Sequence, residues 1–218
     1  MVKKVKEFIW KNIRVLLVCI SVIFFTVIFH LLLNDEIRVF DEKIYSFFEP
    51  IISDKITVIF RIITETGGAI SLIVLTIIII IWQKDLITKI AIPLNLILAT
   101  GLNLLIKELV ERPRPTLINL IQETGYSFPS GHAMVNTAFY GFLIFLIYTN
   151  VLEKKKRNIL CILVALLILG ICSSRIYLGV HYASDVLAGA CISIAYLCIF
   201  TKIYKEVKEI KETKNKED

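Results

Sequence analysis

Long apolar blocks, each close to the ~20 residues that an α-helix needs to cross a bilayer, constrain this chain more than any other feature. Because the hydrocarbon core offers the backbone no water, a spanning segment must satisfy its own hydrogen bonds, as a helix does. The chain has 218 residues, of which 56% are hydrophobic, and a mean hydropathy of +0.75. It is therefore predicted to be an all-α, polytopic membrane protein with a single domain over 1–218.

The apolar pattern predicts six transmembrane helices, with approximate bounds 13–33, 62–83, 89–107, 133–152, 159–175 and 182–203. The second block is strongly apolar only over 71–82, so its helix is expected to begin earlier and to run through Gly67 and Gly68. Arg61 would then lie at the membrane interface. The tail 205–218 alternates Lys and Glu at helical spacing, which is typical of a solvated, cytoplasmic helix.

Lys and Arg are distributed unevenly between the two sets of connections. The set that includes both termini carries 17 of the 25 cationic residues, and the other set carries 8. Because cytoplasmic connections are enriched in Lys and Arg, both termini are predicted to be cytoplasmic. The connections 107–132 and 174–185 would then lie on the extracytoplasmic side of the membrane. This arrangement accounts for the net charge of +6, and no nucleic-acid partner is expected.

The cysteines and the acidic residues give no sign of a metal or disulfide site. The five cysteines lie within apolar blocks without a Cys-x-x-Cys pair, and they are Cys19, Cys161, Cys172, Cys191 and Cys198. The acids of the predicted outer face lack metal-ligand spacing, and they are Glu108, Glu111, Glu123 and Asp185. The chemistry is therefore predicted to use no metal and no cofactor. His30, without a partner nearby in sequence, is interpreted as a structural residue.

Three polar clusters fall on the predicted outer side. The first begins with Lys107 at the end of the third span and continues with Glu-Arg-Pro-Arg-Pro over 111–115. The two prolines end the helix and favour a short extended segment. Lys and Arg at helix ends also commonly reach the interface as anchors, so this cluster taken alone favours anchoring.

The second cluster is Pro129-Ser130-Gly131-His132, directly before the fourth span. A helix N-terminus offers free backbone N–H groups to an anion, and Gly131 would allow a ligand to approach closely. His132 could donate or accept a proton near neutral pH. In isolation, the cluster is also consistent with a serine N-cap followed by an interfacial histidine.

The third cluster is Ser174-Arg175, followed after five residues by His181 and then by Asp185. A spacing of four would place His181 and Asp185 on one face of a helix. A carboxylate in that position can hold an imidazole in one tautomer and raise its basicity. A polar pair at a helix end is the alternative interpretation.

Together the clusters predict a phosphate site, because ionisable groups beside a bilayer are costly and tend to be functional. His181, oriented by Asp185, is expected to attack phosphorus, while His132 protonates the leaving oxygen. The phosphate oxygens would be neutralised by cations from two of the clusters, namely Lys107, Arg114 and Arg175.

The order and spacing of the clusters match the signature K-x6-R-P, P-S-G-H and S-R-x5-H-x3-D. The chain therefore resembles the type 2 phosphatidic acid phosphatase superfamily, by motif over 107–185 and by its six-span plan over nearly the full length. The resemblance implies a helical core that binds phosphate through Lys107, Arg114, Ser130, Gly131 and Arg175. It also implies a phosphohistidine on His181, with Asp185 as its partner and His132 as the general acid. Arg112, whose spacing from Lys107 is two short of the motif, is left as an auxiliary contact.

The resemblance favours the membrane lipid phosphatase branch over the vanadium haloperoxidase branch, whose members are soluble and larger. It implies a lipid phosphate or pyrophosphate substrate: undecaprenyl pyrophosphate, phosphatidylglycerophosphate or phosphatidate, with the choice left open. The alternative is a six-span transporter or scaffold without hydrolase activity. Transporters usually place polar groups near the bilayer midplane, whereas here these groups collect at one end of the spans.

Overall fold

The computed structural model describes residues 2–116 and 119–217, with side chains described over 12–116 and 119–214. Within these ranges the chain is helical and has no strand, so the all-α prediction is confirmed. Met1 and Asp218, the two ends of the predicted domain, lie outside the described residues. The same holds for the side chains of four N-terminal lysines that contribute to the charge asymmetry, namely Lys3, Lys4, Lys6 and Lys11.

The helices follow in chain order as α1 (Val2–Leu33), α2 (Arg38–Phe48), α3 (Asp54–Thr66), α4 (Ala69–Trp82), α5 (Leu86–Val110), α6 (Gly131–Asn150), α7 (Lys154–Tyr177) and α8 (Ala183–Glu217). A 3₁₀ turn, Glu49–Ile51, follows α2. Over the described ranges, α1, α5, α6, α7 and α8 each contain a segment long and apolar enough to cross a membrane, and α3 with α4 passes the same test as a bent pair. The molecule is a multi-pass membrane protein.

The second predicted span, 62–83, is not one continuous helix. α3 ends at Thr66, α4 begins at Ala69, and the two axes differ by 48°. The expectation that the helix runs through Gly67 and Gly68 was wrong, because glycine is a poor helix former. Side chains of α6 also satisfy carbonyls that the break leaves free: Asn136 Nδ2 donates to Gly67 O at 2.9 Å, and Tyr140 Oη donates to Thr66 O at 2.8 Å.

Helix α2, between the first two spans, is a further feature that the apolar pattern did not predict. It has only 11 residues and is too short to cross a bilayer. Val39 and Phe47 are exposed on it, whereas the carboxylate of Asp41 is buried. The buried face of α2 packs against α8, which brings this short helix to the end of the bundle that carries the sequence motifs.

Helix α6 lies at the centre of the bundle and contacts α5, α7 and α8. In its most apolar stretch 56% of the residues are buried, compared with 11% in α1, which packs along α8 at the periphery. Phe139 and Phe142 of α6 are almost completely buried, and Tyr204 of α8 packs edge-on against Phe142 with ring centroids 5.3 Å apart. The packing of α6 against α5, α7 and α8 places the end of α5, the start of α6, the end of α7 and the start of α8 at one end of the bundle, here called the motif end.

Replacement of Gly67 by alanine is expected to destabilise the protein. An added Cβ would lie 2.7 Å from Asn136 Nδ2 and 2.9 Å from Ile171 Cγ2, and both of these side chains are fully buried. Overpacking of this kind costs about 1–3 kcal/mol, so the midpoint of thermal unfolding in detergent should fall. Gly101→Ala is the matched control, because a Cβ there meets no described atom within 4 Å. Equal midpoints for the two variants would contradict this account of the break.

Candidate active site

A cavity of about 360 Å³ opens at the motif end. Its polar part is lined by Lys107, Arg114, Glu123, Gly131, His132 and His181. Its apolar part is lined by membrane-spanning residues of α4 and α5, including Leu72 and Leu96. The three sequence clusters therefore meet around one cavity, although they are separated by up to about 70 residues along the chain.

Lys107 lies in the last turn of α5 and its Nζ donates to the carbonyl of Tyr126. The helix ends at Val110, and the next residue, Glu111, adopts a left-handed conformation with φ of 52°. Pro113 and Pro115 then prevent the helix from resuming, as the sequence predicted. The chain leaves α5 in an extended loop that returns across the motif end and brings Arg114 to the cavity.

Arg114 is held by backbone carbonyls. Its Nε donates to Gly125 O at 3.0 Å, Nη2 to Thr124 O at 2.8 Å and Nη1 to Val180 O at 3.0 Å. Nη1 also lies 3.2 Å from Nε2 of His181. Because a guanidinium can only donate, Nε2 of His181 must be the nitrogen with the free lone pair. The proton of the neutral imidazole is then on Nδ1, which faces Asp185.

Nδ1 of His181 lies 3.5 Å from Oδ2 of Asp185, within ion-pair range but longer than an ordinary hydrogen bond. The spacing argument assumed that His181 and Asp185 lie in one helix. His181 instead lies before the helix, because α8 begins only at Ala183. A turn at Gly179, with a left-handed φ of 72° that glycine adopts without strain, precedes it. The two side chains meet because Asp185 points back from the first turn of α8.

His181 is buried, and its burial lowers the pKa of the imidazole to about 4, although the Asp185 carboxylate acts in the opposite direction. The imidazole is therefore uncharged at neutral pH. An uncharged ring with its lone pair directed at Arg114 and the cavity has the state that a nitrogen nucleophile requires.

Ser130 caps α6, as the alternative interpretation of the second cluster proposed. Its Oγ accepts from Ala133 N at 3.4 Å, and its own backbone N donates to Asp185 O at 3.0 Å. The preceding carbonyl, of Pro129, accepts from Asn103 Nδ2 of α5 at 3.1 Å. These contacts tie the start of α6 to both α5 and α8, and they place Gly131 and His132 on the cavity wall.

Arg175 is almost completely buried at the end of α7. Its Nη1 donates to Thr64 Oγ1 at 2.7 Å, and its Nη2 forms an ion pair with Glu123. Burial alone would raise the pKa of the Glu123 carboxyl, but the Arg175 guanidinium outweighs it and holds that pKa below the ordinary value. Glu123 thus lies between Arg175 and the cavity, a position that sequence reasoning did not assign to it.

A family model described as the PAP2 superfamily matches residues 88–209, which include every candidate residue. The chain belongs to the PAP2 superfamily. The resemblance inferred from the three motifs is therefore confirmed.

The PAP2 relatives include phosphatidylglycerophosphatase B of Bacillus subtilis (strain 168), which is 32% identical over 114 residues. That match covers 51% of this chain and 55% of the relative, so it spans about half of the relative's length.

Two solved structures share the PAP2 fold. The crystal structure of the first transmembrane PAP2 type phosphatidylglycerolphosphate phosphatase from Bacillus subtilis superposes with a TM-score of 0.81 at 23% identity, covering 87% of this chain and 96% of that one. Aquifex aeolicus LpxE superposes with a TM-score of 0.59 at 25% identity, covering 73% of this chain and 93% of that one. The overall arrangement of helices is therefore that of a membrane PAP2 protein.

Of the eight residues predicted from the PAP2 motifs, five line the cavity, namely Lys107, Arg114, Gly131, His132 and His181. Ser130, Arg175 and Asp185 lie behind its wall as buried, hydrogen-bonded groups. Among the described residues, no group of three or more His, Cys, Asp or Glu side chains is arranged to hold a metal ion.

Besides the position of Glu123, sequence reasoning missed two contributors to the motif end. Asp41 of α2 lies far from the motifs in sequence and gave no signal, and Ser127, whose Oγ donates to Asp185, lies in an irregular loop. Arg112 did give a signal, because it stands in the Arg-Pro-Arg-Pro run, but the motif directs attention to the second arginine, Arg114.

The His181 imidazole is expected to stay uncharged as the pH falls from 7 to about 5, because burial lowers its pKa to about 4. An ordinary histidine, with a pKa near 6.5, would be largely protonated at that point. Nitrogen-15 NMR of histidine-labelled protein in detergent can measure this, since the chain has only three histidines. Loss of one ring signal in His181→Gln assigns it, and a titration midpoint above pH ~6 for that signal would contradict the structure.

Proposed function

We propose that the protein is a lipid phosphatase that hydrolyses a phosphate or pyrophosphate at the head of a membrane lipid. The observation that carries this proposal is one cavity with two chemically different parts. Two cations and two histidines line one part, and apolar residues of α4 and α5 line the other. The cavity volume suits a polar headgroup, with the lipid tail following the apolar wall into the bilayer.

In the proposed reaction, Nε2 of His181 attacks phosphorus and forms a phosphohistidine. The bond between phosphorus and the lipid oxygen breaks, and His132, protonated beside the bound phosphate anion, donates its proton to that oxygen. His132, now neutral, then takes a proton from a water molecule that attacks the phosphohistidine. The bond between phosphorus and Nε2 of His181 breaks, inorganic phosphate leaves, and both histidines return to their starting states. Asp185 keeps the Nδ1 proton of His181 in place throughout.

The charge of the transferred phosphoryl group is proposed to be balanced by protein cations without a metal. Lys107 and Arg114 already line the cavity. Arg175 lies behind Glu123, so a phosphate reaches it by taking the place of that carboxylate. Gly131 presents backbone at the N-terminus of α6, where an anion is stabilised by free N–H groups.

Phosphatidylglycerophosphate is the first substrate to test, because the relative with 32% identity carries the name phosphatidylglycerophosphatase B. Undecaprenyl pyrophosphate and phosphatidate have the same phosphate chemistry on different lipids and complete the panel. A preference for one of them would come from the apolar part of the cavity, where Leu72 and Leu96 lie, and from the space beside Glu123.

His181→Ala is expected to abolish phosphate release from all three lipids by purified protein in detergent. Wild-type activity should persist in EDTA and be blocked by vanadate. His132→Ala should lower kcat by about 10²–10⁴, the usual contribution of a general acid. The matched control is His30→Ala, because His30 is an exposed residue of α1 that bonds only to Asn34 among the described contacts.

Different outcomes contradict different parts of the proposal. Wild-type protein that releases no phosphate from any lipid of the panel contradicts the phosphatase function, and flux without hydrolysis would favour a transporter. Release by His181→Ala at the wild-type rate would contradict its role as nucleophile while leaving the function intact. Acid-labile phosphate on wild type, but not on His181→Ala, would support the phosphohistidine.

We propose that the motif end faces the outside of the cell and that both termini are cytoplasmic, as the distribution of Lys and Arg favours. An alkaline phosphatase reporter, which is active only outside the cytoplasm, should be active when fused after Thr116 and inactive when fused after Asp218. A fusion in 151–153, between α6 and α7, is a further cytoplasmic control. The reverse pattern of activities would overturn the orientation without affecting the assigned chemistry.

A further inference from the structure

The Arg112 guanidinium is clamped between two buried carboxylates from distant parts of the chain. Its Nη1 lies 2.6 Å from Oδ1 of Asp185, and its Nη2 lies 2.8 Å from Oδ2 of Asp41. The side chains of Arg112, Asp41 and Asp185 are 10%, 2% and 0% exposed. A bridge with this little solvent holds its members firmly, because losing one partner leaves a buried charge uncompensated.

Asp41 also holds the residue next to Asp185. Its Oδ1 accepts from the backbone N of Ser184 at 2.8 Å, and its Oδ2 accepts from Ser184 Oγ at 2.7 Å. Arg112 Nη1 reaches Ser184 Oγ as well, at 2.8 Å. The first turn of α8 is therefore fixed from the side of α2, and the position of Asp185 depends on that turn.

Each oxygen of Asp185 has its own donors. Oδ1 accepts from Arg112, whereas Oδ2 accepts from the backbone N of Tyr182 at 2.9 Å and from Ser127 Oγ. Oδ2 is also the oxygen that faces His181. Without Arg112 the carboxylate would lose the donor that fixes Oδ1, and only the contacts of Oδ2 would resist rotation about its last bond.

Arg112 does not line the cavity around His181 and His132, so it would not contact a substrate phosphate bound there. Its planar head stacks 3.9 Å above the ring of Tyr182 and is occupied by two carboxylates. Burial alone would lower the pKa of Arg112, but the carboxylates of Asp185 and Asp41 raise it above the ordinary value. The guanidinium is permanently charged, and its donors already bind the carboxylates of Asp185 and Asp41.

We propose that Arg112, anchored by Asp41 of α2, is a positioning residue that fixes the Asp185 carboxylate and through it the attacking imidazole of His181. This inference rests on the proposed phosphatase function and deepens it. It gives α2 a role in the reaction, although no residue of α2 lines the cavity. It also separates the two arginines of Arg-Pro-Arg-Pro, since Arg114 binds phosphate while Arg112 orients the catalytic pair.

The two-sided bridge explains why arginine stands at this position. A guanidinium has a planar fork of donors that can serve two carboxylates at once, whereas an ammonium is a point charge on a flexible stem. Lysine at 112 would keep a positive charge between Asp41 and Asp185, but it could not fix the orientation of both carboxylates. Lysine is therefore expected to restore only part of the function.

The test compares steady-state kinetics of purified full-length variants on the lipid phosphate that wild type hydrolyses best. Arg112→Met should lower kcat about 10- to 100-fold, by analogy with the loss seen when a group that orients a metal-binding side chain is removed. KM should stay within about threefold, because the phosphate-binding groups are untouched. Arg112→Lys should recover part of kcat at the same KM.

Asp41→Asn tests the anchor. The amide places an NH₂ group against either Arg112 or the Ser184 donors, so kcat should fall in the same direction by a smaller factor. Because Asp41 acts in part through Arg112, adding Asp41→Asn to Arg112→Met should lower kcat by clearly less than the product of the two single effects. The control is Arg38→Met, which removes an exposed ion pair with Glu42 on the same helix α2 and should leave kcat and KM unchanged.

Wild-type activity separates the two proposals: if wild type hydrolyses no lipid phosphate, the function itself fails. If wild type is active but Arg112→Met and Asp41→Asn both keep kcat within about threefold, the positioning role is wrong. An equal change of kcat and KM in both variants would also overturn it, as would full additivity in the double variant. Should Arg112→Met fail to fold, Arg112→Lys and Asp41→Asn give the same kcat and KM comparison.

Discussion

The Asp185 carboxylate is the constraint around which the motif end is organised. A buried carboxylate is stable only if donors replace the water it has lost, and Asp185 is fully buried. Its donors come from the loop after α5, through Arg112 and Ser127, and from the turn before α8, through Tyr182. Satisfying one charge therefore brings together segments that the chain keeps far apart, beside the cavity that His181 lines.

The membrane-spanning part of the molecule supplies the other half of the site. The break at Gly67 ends α3 and changes the direction of the chain before α4. Gly67 and the apolar residues of α4 and α5 line the apolar side of the cavity. Asn136 of α6 donates both to the Gly67 carbonyl and to the His132 carbonyl. One buried amide thus joins the break in the second span to the turn that carries His132, so the apolar and polar parts of the cavity share a support.

The sequence was informative where a local pattern has one physical meaning. Apolar length predicted the spans, and the fixed spacing of the motifs predicted which residues meet. It was uninformative where a residue's role depends on a distant partner. Nothing near Asp41 in sequence indicates that it faces Ser184, 143 residues later, and Glu123 resembles any other loop acid until Arg175 is seen beside it. The break at Gly67 was missed because its stabilising donors, Asn136 and Tyr140, lie on another helix.

The partners of the cations explain how the site can hold charge for a phosphate. Lys107 and Arg114 donate to backbone carbonyls, which orient a cation without cancelling its charge. Arg175, in contrast, is paired with Glu123. Two cations are thus preorganised with their charge intact, while the third is balanced by a carboxylate that a phosphate replaces in the proposed reaction. Because dipoles fixed in advance need no rearrangement during the reaction, this division suits stabilisation of the charge that develops as phosphoryl transfer proceeds.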